Sequence, residues 1–150
     1  MKALIICMSV HHGNTRKVAE RMARVLGADV LTPMEASGAM LGKYDLVGFG
    51  SGIYFGRHHR SLSSFVENLP DMTGKKAFVF STSGLGGIFN RMLSSGLADQ
   101  LGKKGFVVLG DFTCPGWDTF GVFSWFGGLG KGRPDEKDLL KAEEFAKKLE

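Results

Sequence analysis

The chain has 150 residues, of which 43% are hydrophobic, and a net charge of +4. That size suits a single domain over residues 1–150 with one core, and the apolar fraction argues against disorder. Lys and Arg are mixed with Asp and Glu, so no nucleic-acid stripe stands out.

Taken in order, Ala3-Leu4-Ile5-Ile6-Cys7-Met8 is an apolar run that reads as a buried strand. It leads through Ser9-Val10-His11-His12-Gly13-Asn14-Thr15 into a helical pattern over 17–26. Residues 28–32 are a short second strand that Pro33 ends, and 34–43 hold about one helical turn. Leu46-Val47-Gly48-Phe49-Gly50 is a third strand, and Ser51-Gly52-Ile53-Tyr54-Phe55-Gly56 is a loop. From Arg57 to Leu69, the positions of Leu62, Phe65, Val66 and Leu69 have helical spacing. Residues 75–81 form a fourth strand, Thr82-Ser83-Gly84-Leu85-Gly86-Gly87 a loop, and 88–101 a helix. Residues 106–110 form a fifth strand. Cys114 to Pro134 is a glycine- and aromatic-rich stretch without periodicity, and Asp135 caps a last helix over 136–149.

Buried strands alternating with helices predict an α/β fold: a doubly wound, five-stranded parallel sheet of order 2-1-3-4-5, with helices on both faces. In this expected order Gly48, Gly50 and Gly52 loosen the turn after strand three. The polar, glycine-rich loops all follow strands one, three and four, at the carboxyl ends where ligands bind in such sheets. The first loop offers unpaired helix N–H groups, a positive dipole end, Gly13 as a bend, and Ser9, Asn14 and Thr15 as side-chain donors. Such a cradle suits a phosphate dianion, although the same residues would also cap a helix with no ligand.

Other tenants of this architecture fail on their residues. Strand three ends in Gly50-Ser51 where a receiver domain needs an aspartate. Gly13 stands sixth after Cys7, where a low-molecular-weight tyrosine phosphatase needs arginine. Neither a Walker loop nor a GxGxxG fingerprint follows strand one. Cys7 and Cys114 are too few for a disulfide scaffold and lack metal-ligand spacing. Their strands lie three steps of about 4.8 Å apart in the expected order, beyond the roughly 7 Å reach of a disulfide, so free thiols are expected.

What remains resembles the flavodoxin family over essentially the whole chain. Ser9 to Thr15 is similar to the family loop that holds the phosphate of FMN, Ser51 to Gly56 to the loop beside the isoalloxazine ring, and Thr82 to Gly87 to the loop at its pyrimidine side. The resemblance implies FMN as cofactor, with Ser9 and His11, His12, Gly13, Asn14 and Thr15 around the phosphate. It places Ser51, Gly52, Ile53, Tyr54, Phe55 and Gly56 at the N5 edge, and Thr82, Ser83, Gly84, Leu85, Gly86 and Gly87 at the carbonyl edge. His11 and His12 stand where flavodoxins usually carry small hydroxyl residues; they either donate to the phosphate or face solvent.

The implied function is electron transfer between a reductase and an acceptor protein. The alternatives are an NAD(P)H- or quinone-linked oxidoreductase, since Gly56-Arg57-His58-His59 is similar to quinone-coupled protoporphyrinogen dehydrogenases, and a non-redox phosphate-binding module. Arg57, His58, His59, Arg60, Lys131 and Arg133 suggest a basic rim that eases negative charge on a reduced flavin and favours an acidic partner. No apolar run approaches the roughly 20 residues that span a bilayer, and Met1-Lys2-Ala3-Leu4 lacks a signal-peptide cleavage pattern. A cytoplasmic protein without membrane insertion is therefore expected.

Overall fold

Ala3–Met8 (β1) carries no charge, tolerates burial on both faces and takes an interior place in the sheet. The computed structural model describes residues 1–10, 13–54, 57–84, 96–116 and 132–150, with Tyr54 described in its backbone only. After β1 come α1 (Asn14–Leu26), β2 (Asp29–Leu31), the single turn α2 (Gly38–Leu41), β3 (Leu46–Tyr54) and β4 (Arg57–His58). Then follow α3 (Arg60–Glu67), β5 (Lys76–Ser83), a helical stretch over 96–103 (α4), β6 (Val107–Pro115) and α5 (Glu136–Lys147).

The sheet runs β2-β1-β3-β5-β6 with every neighbouring pair parallel, and β4 adds antiparallel to β3. This is the expected 2-1-3-4-5 order; β4 only shifts the numbering. Alternation along each strand feeds two cores. Ala3, Ile5 and Cys7 join Val18, Ala19 and Met22 of α1 and Ala142 and Ala146 of α5. Leu4 and Ile6 face the other way, toward Leu62 and Val66 of α3 and Leu97 and Leu101 of α4. Full burial of each large aliphatic side chain contributes about 1.5–3 kcal/mol, so both helix layers are held by the sheet they cover.

Gly48 and Gly50 have a different task from the one expected. Both lie inside β3, in register with Phe78 and Phe80 of β5. A Cβ on Gly48 would sit 2.3 Å from the Phe78 ring, and one on Gly50 would sit 2.2 Å from the Phe80 ring. The two rings, 6.1 Å apart and fully buried, therefore lie over bare backbone. The glycines make room for aromatics rather than loosening a turn.

Four boundaries also move. Arg57 and His58 are a strand rather than the start of a helix, because Ile53 and Tyr54 pair back with them. For the same reason β3 runs on through Ser51–Tyr54, while β5 keeps Thr82 and Ser83 because they pair with Cys114 and Pro115 of β6. β6 continues past Gly110 to Pro115, with an irregularity in its register against β5 between Ala77 and Val79. Cys7 and Cys114 are free and buried, as their separation requires. Among the described residues no helix is long and apolar enough to cross a membrane.

Candidate functional site

The carboxyl ends of β1, β3 and β5 stand side by side, with Met8 paired to Ser51 and Gly52 to Thr82. At the first loop Gly13 caps α1 at φ 64, a left-handed conformation that glycine adopts without strain. No side chain caps this helix and its first turn carries no acid, in contrast to α5, where Asp135 and Asp138 form a capping box. Ser9, Asn14 and Thr15 are thus not spent on capping. Asn14 and Thr15 are buried, and Thr15 Oγ1 meets Thr82 Oγ1 at 2.8 Å, tying the first loop to the third. Ser9 Oγ is buried and has no hydrogen-bond partner among the described residues. A buried hydroxyl without a partner costs about 1–3 kcal/mol. At a helix N-terminus without carboxylates it fits an arriving anion.

The exit of β6 joins the same place, which the sequence reading missed. Gly116 N–H donates to the Ser83 carbonyl at 3.1 Å, and a Cβ on Gly116 would lie 2.9 Å from Asn14 Nδ2. The signal in the sequence is Phe112-Thr113, two strand-forming residues just beyond Gly110.

At the second loop Ser51 Oγ is a hub. It donates to the Gly52 carbonyl at 2.8 Å, accepts from the His59 N–H at 2.9 Å and lies 2.9 Å from His58 Nδ1. The arrangement that satisfies all three contacts gives the single hydroxyl proton to Gly52 and has His58 donate from Nδ1. His59 has the opposite arrangement: its Nδ1 accepts from the Ser61 N–H at 3.1 Å and caps α3. Burial pushes the His58 pKa down to about 4, so its imidazole is neutral. Ser81, in register with Ser51, is fully buried, and its Oγ has no partner among the described residues.

Of the other expected residues, Gly52 and Ile53 lie in β3, Thr82 and Ser83 end β5, and Gly84 begins a turn. His11, His12, Phe55, Gly56, Leu85, Gly86 and Gly87 lie outside the described residues, as does the Tyr54 side chain. Burial pushes the Cys7 and Cys114 thiols up to about 12, so neither is a nucleophilic thiolate near neutral pH. Among the described residues no cluster of His, Cys, Asp and Glu could hold a metal ion. Of the expected basic rim, His58 is buried and Lys131 lies outside the described residues. Arg57 and Arg60 are exposed, whereas Arg133 is paired with Asp138 through Nε and Nη2, the latter at 2.7 Å.

Residues 5–91, which hold most of β1, all of β3 and β5 and the three loops, match the family model described as a flavodoxin domain. The chain is 48% identical over 149 residues to "Uncharacterized protein MJ0298" of Methanocaldococcus jannaschii, covering 99% of this chain and 98% of that one. The flavodoxin of Streptococcus pneumoniae superposes with a TM-score of 0.74 at 18% identity, covering 99% of this chain and 97% of that chain. Oxidised flavodoxin 1 of Bacillus cereus gives 0.71 at 20% identity, covering 98% and 95%. Those two structures share the fold; the match along the strands and loops of the rim means that this chain belongs to the flavodoxin family.

Proposed function

We propose that the chain binds FMN at this rim and carries electrons between a reductase and an acceptor protein. The observation that carries the reading is the first loop. Ser9 Oγ, in the segment between β1 and α1, is buried without a partner among the described residues, and the N-terminus of α1 has no side-chain cap among them and no acid in its first turn. Ser9, Gly13, Asn14 and Thr15 would hold the phosphate, with Thr82 buttressing Thr15 from the third loop. Gly52 and Ile53 of β3 would border the ring, and Thr82, Ser83 and Gly84 would offer hydrogen bonds to its polar edge. Bound FMN would supply one- and two-electron redox chemistry, and the protein sets its potential through charge, hydrogen bonds and burial.

Purified protein titrated with FMN should develop a perturbed flavin absorbance spectrum and accept electrons from an added flavodoxin reductase. Steady turnover of NAD(P)H and a quinone with no added reductase would replace the carrier reading with that of an oxidoreductase.

Exposed Arg57 and Arg60 flank the second loop and give it a local positive charge. The double variant Arg57→Glu, Arg60→Glu should make the second one-electron potential of the bound flavin more negative. Each charge contributes a few tenths of a kcal/mol in a solvent-screened setting. The same variant should slow association with an acidic partner and flatten its dependence on salt. Spectroelectrochemical titration reads the first effect; an unmoved potential would mean that the two arginines are merely solvated.

A further inference from the structure

The second loop carries a group whose role neither capping nor packing accounts for. His58 is 8% exposed, and its Nε2 is sealed from solvent without a hydrogen-bond partner among the described residues. With all three contacts of Ser51 Oγ satisfied, the imidazole proton sits on Nδ1, which leaves Nε2 as an acceptor with a free lone pair. Such an atom is costly while unsatisfied, and bulk water does not reach it. Its neighbour His59 shows that this segment does place imidazole nitrogens with partners when they serve the fold, since His59 Nδ1 caps α3. His58 sits on the hairpin that carries the second loop, opposite Ile53. Ser81 Oγ, a second buried group without a partner, lies one strand away in register with Ser51.

Resting on the reading of this rim as a flavin site, we propose that His58 Nε2 is a hydrogen-bond acceptor for an N–H of the flavin ring. The oxidised ring offers one such donor, N3–H on its polar edge, and reduction adds N5–H. An acceptor-only nitrogen suits either, and it excludes a role for His58 as a proton donor to the oxidised ring. Ser51 is then a positioning residue, because without it the imidazole could take the other tautomer and present an N–H. The competing account is a buried water that bridges Nε2 and Ser81 Oγ.

The test uses ¹⁵N-labelled protein with ¹⁵N-labelled FMN. In flavin-free protein, the His58 ring nitrogens should report a protonated Nδ1 and a bare Nε2. With FMN bound, a coupling across the hydrogen bond should link Nε2 to a flavin nitrogen. A link in the oxidised state identifies the donor present in both forms, and a link only after reduction identifies the additional one. His58→Phe should weaken FMN binding about tenfold in the linked state, and His58→Gln, which restores an acceptor, should recover most of that loss. A protonated Nε2 in the free protein overturns the proposal without bearing on FMN binding. FMN bound with no coupling in either state, or with unchanged affinity in His58→Phe, overturns it and leaves the flavin site standing. Failure of the wild-type protein to bind FMN overturns both.

Discussion

Gly50→Ala should lower the free energy of unfolding by about 3 kcal/mol, at the upper end of the range for overpacked cores. The added Cβ would fall 2.2 Å from Cε2 and Cζ of Phe80, well inside any contact distance. The ring cannot swing away cheaply, because Phe80 is fully buried and Phe78 lies beside it over Gly48. Backbone strain contributes nothing, since Gly50 is not among the glycines with positive φ. Phe80→Leu should cost stability on its own but remove the clash. The double variant should therefore be more stable than the sum of the two losses implies, a coupling of the kind that contacting residues show. Denaturant unfolding of the four proteins measures this. Additive losses would mean that the Phe80 ring is free to move.

His58 should make the fold acid-sensitive over a narrow window. In the unfolded chain it titrates near 6.5, whereas burial holds it at about 4 in the native protein. Between those values the unfolded state binds the extra proton, so falling pH favours unfolding. The contribution is complete above about pH 6.5, declines through the window and is gone below about pH 4. The total is about 3 kcal/mol. Glu136, whose carboxyl a hydrogen bond from Arg21 holds below its usual range, acts lower on the pH scale. His58→Phe and His58→Gln should both flatten the stability profile between pH 6.5 and 4.5. An unchanged slope in both would show that the imidazole is hydrated in the native state.

The strands and their order were legible because each apolar run is local, and the helices pair with them by spacing alone. The cap of α1 was not. Ser9, Asn14 and Thr15 are the residue types that cap helices, yet Gly13 takes the cap position, and Thr15 lies inside the first turn, where it meets Thr82, 67 positions away. Gly48 and Gly50 looked like a turn because the rings that need their space belong to another strand. Arg57-His58-His59-Arg60 looked like a solvated helix start, and only pairing with Ile53 and Tyr54 turns His58 inward. The ligand loops could be placed from the sequence, since they follow strands. Which of their polar atoms are spent on the fold and which are held without a partner needed the tertiary contacts.

Calorimetric titration of the flavin-free protein with FMN and with riboflavin bears most directly on the assignment of the rim. The two ligands share the ring and differ in the phosphate that the Ser9–Thr15 cradle is held to recognise. FMN should bind and riboflavin should bind much more weakly. Thr15→Val should cut FMN affinity by about 1.5–3 kcal/mol, the worth of a hydrogen bond to an ion, and leave riboflavin where it was. Equal affinities for FMN and riboflavin would contradict the account.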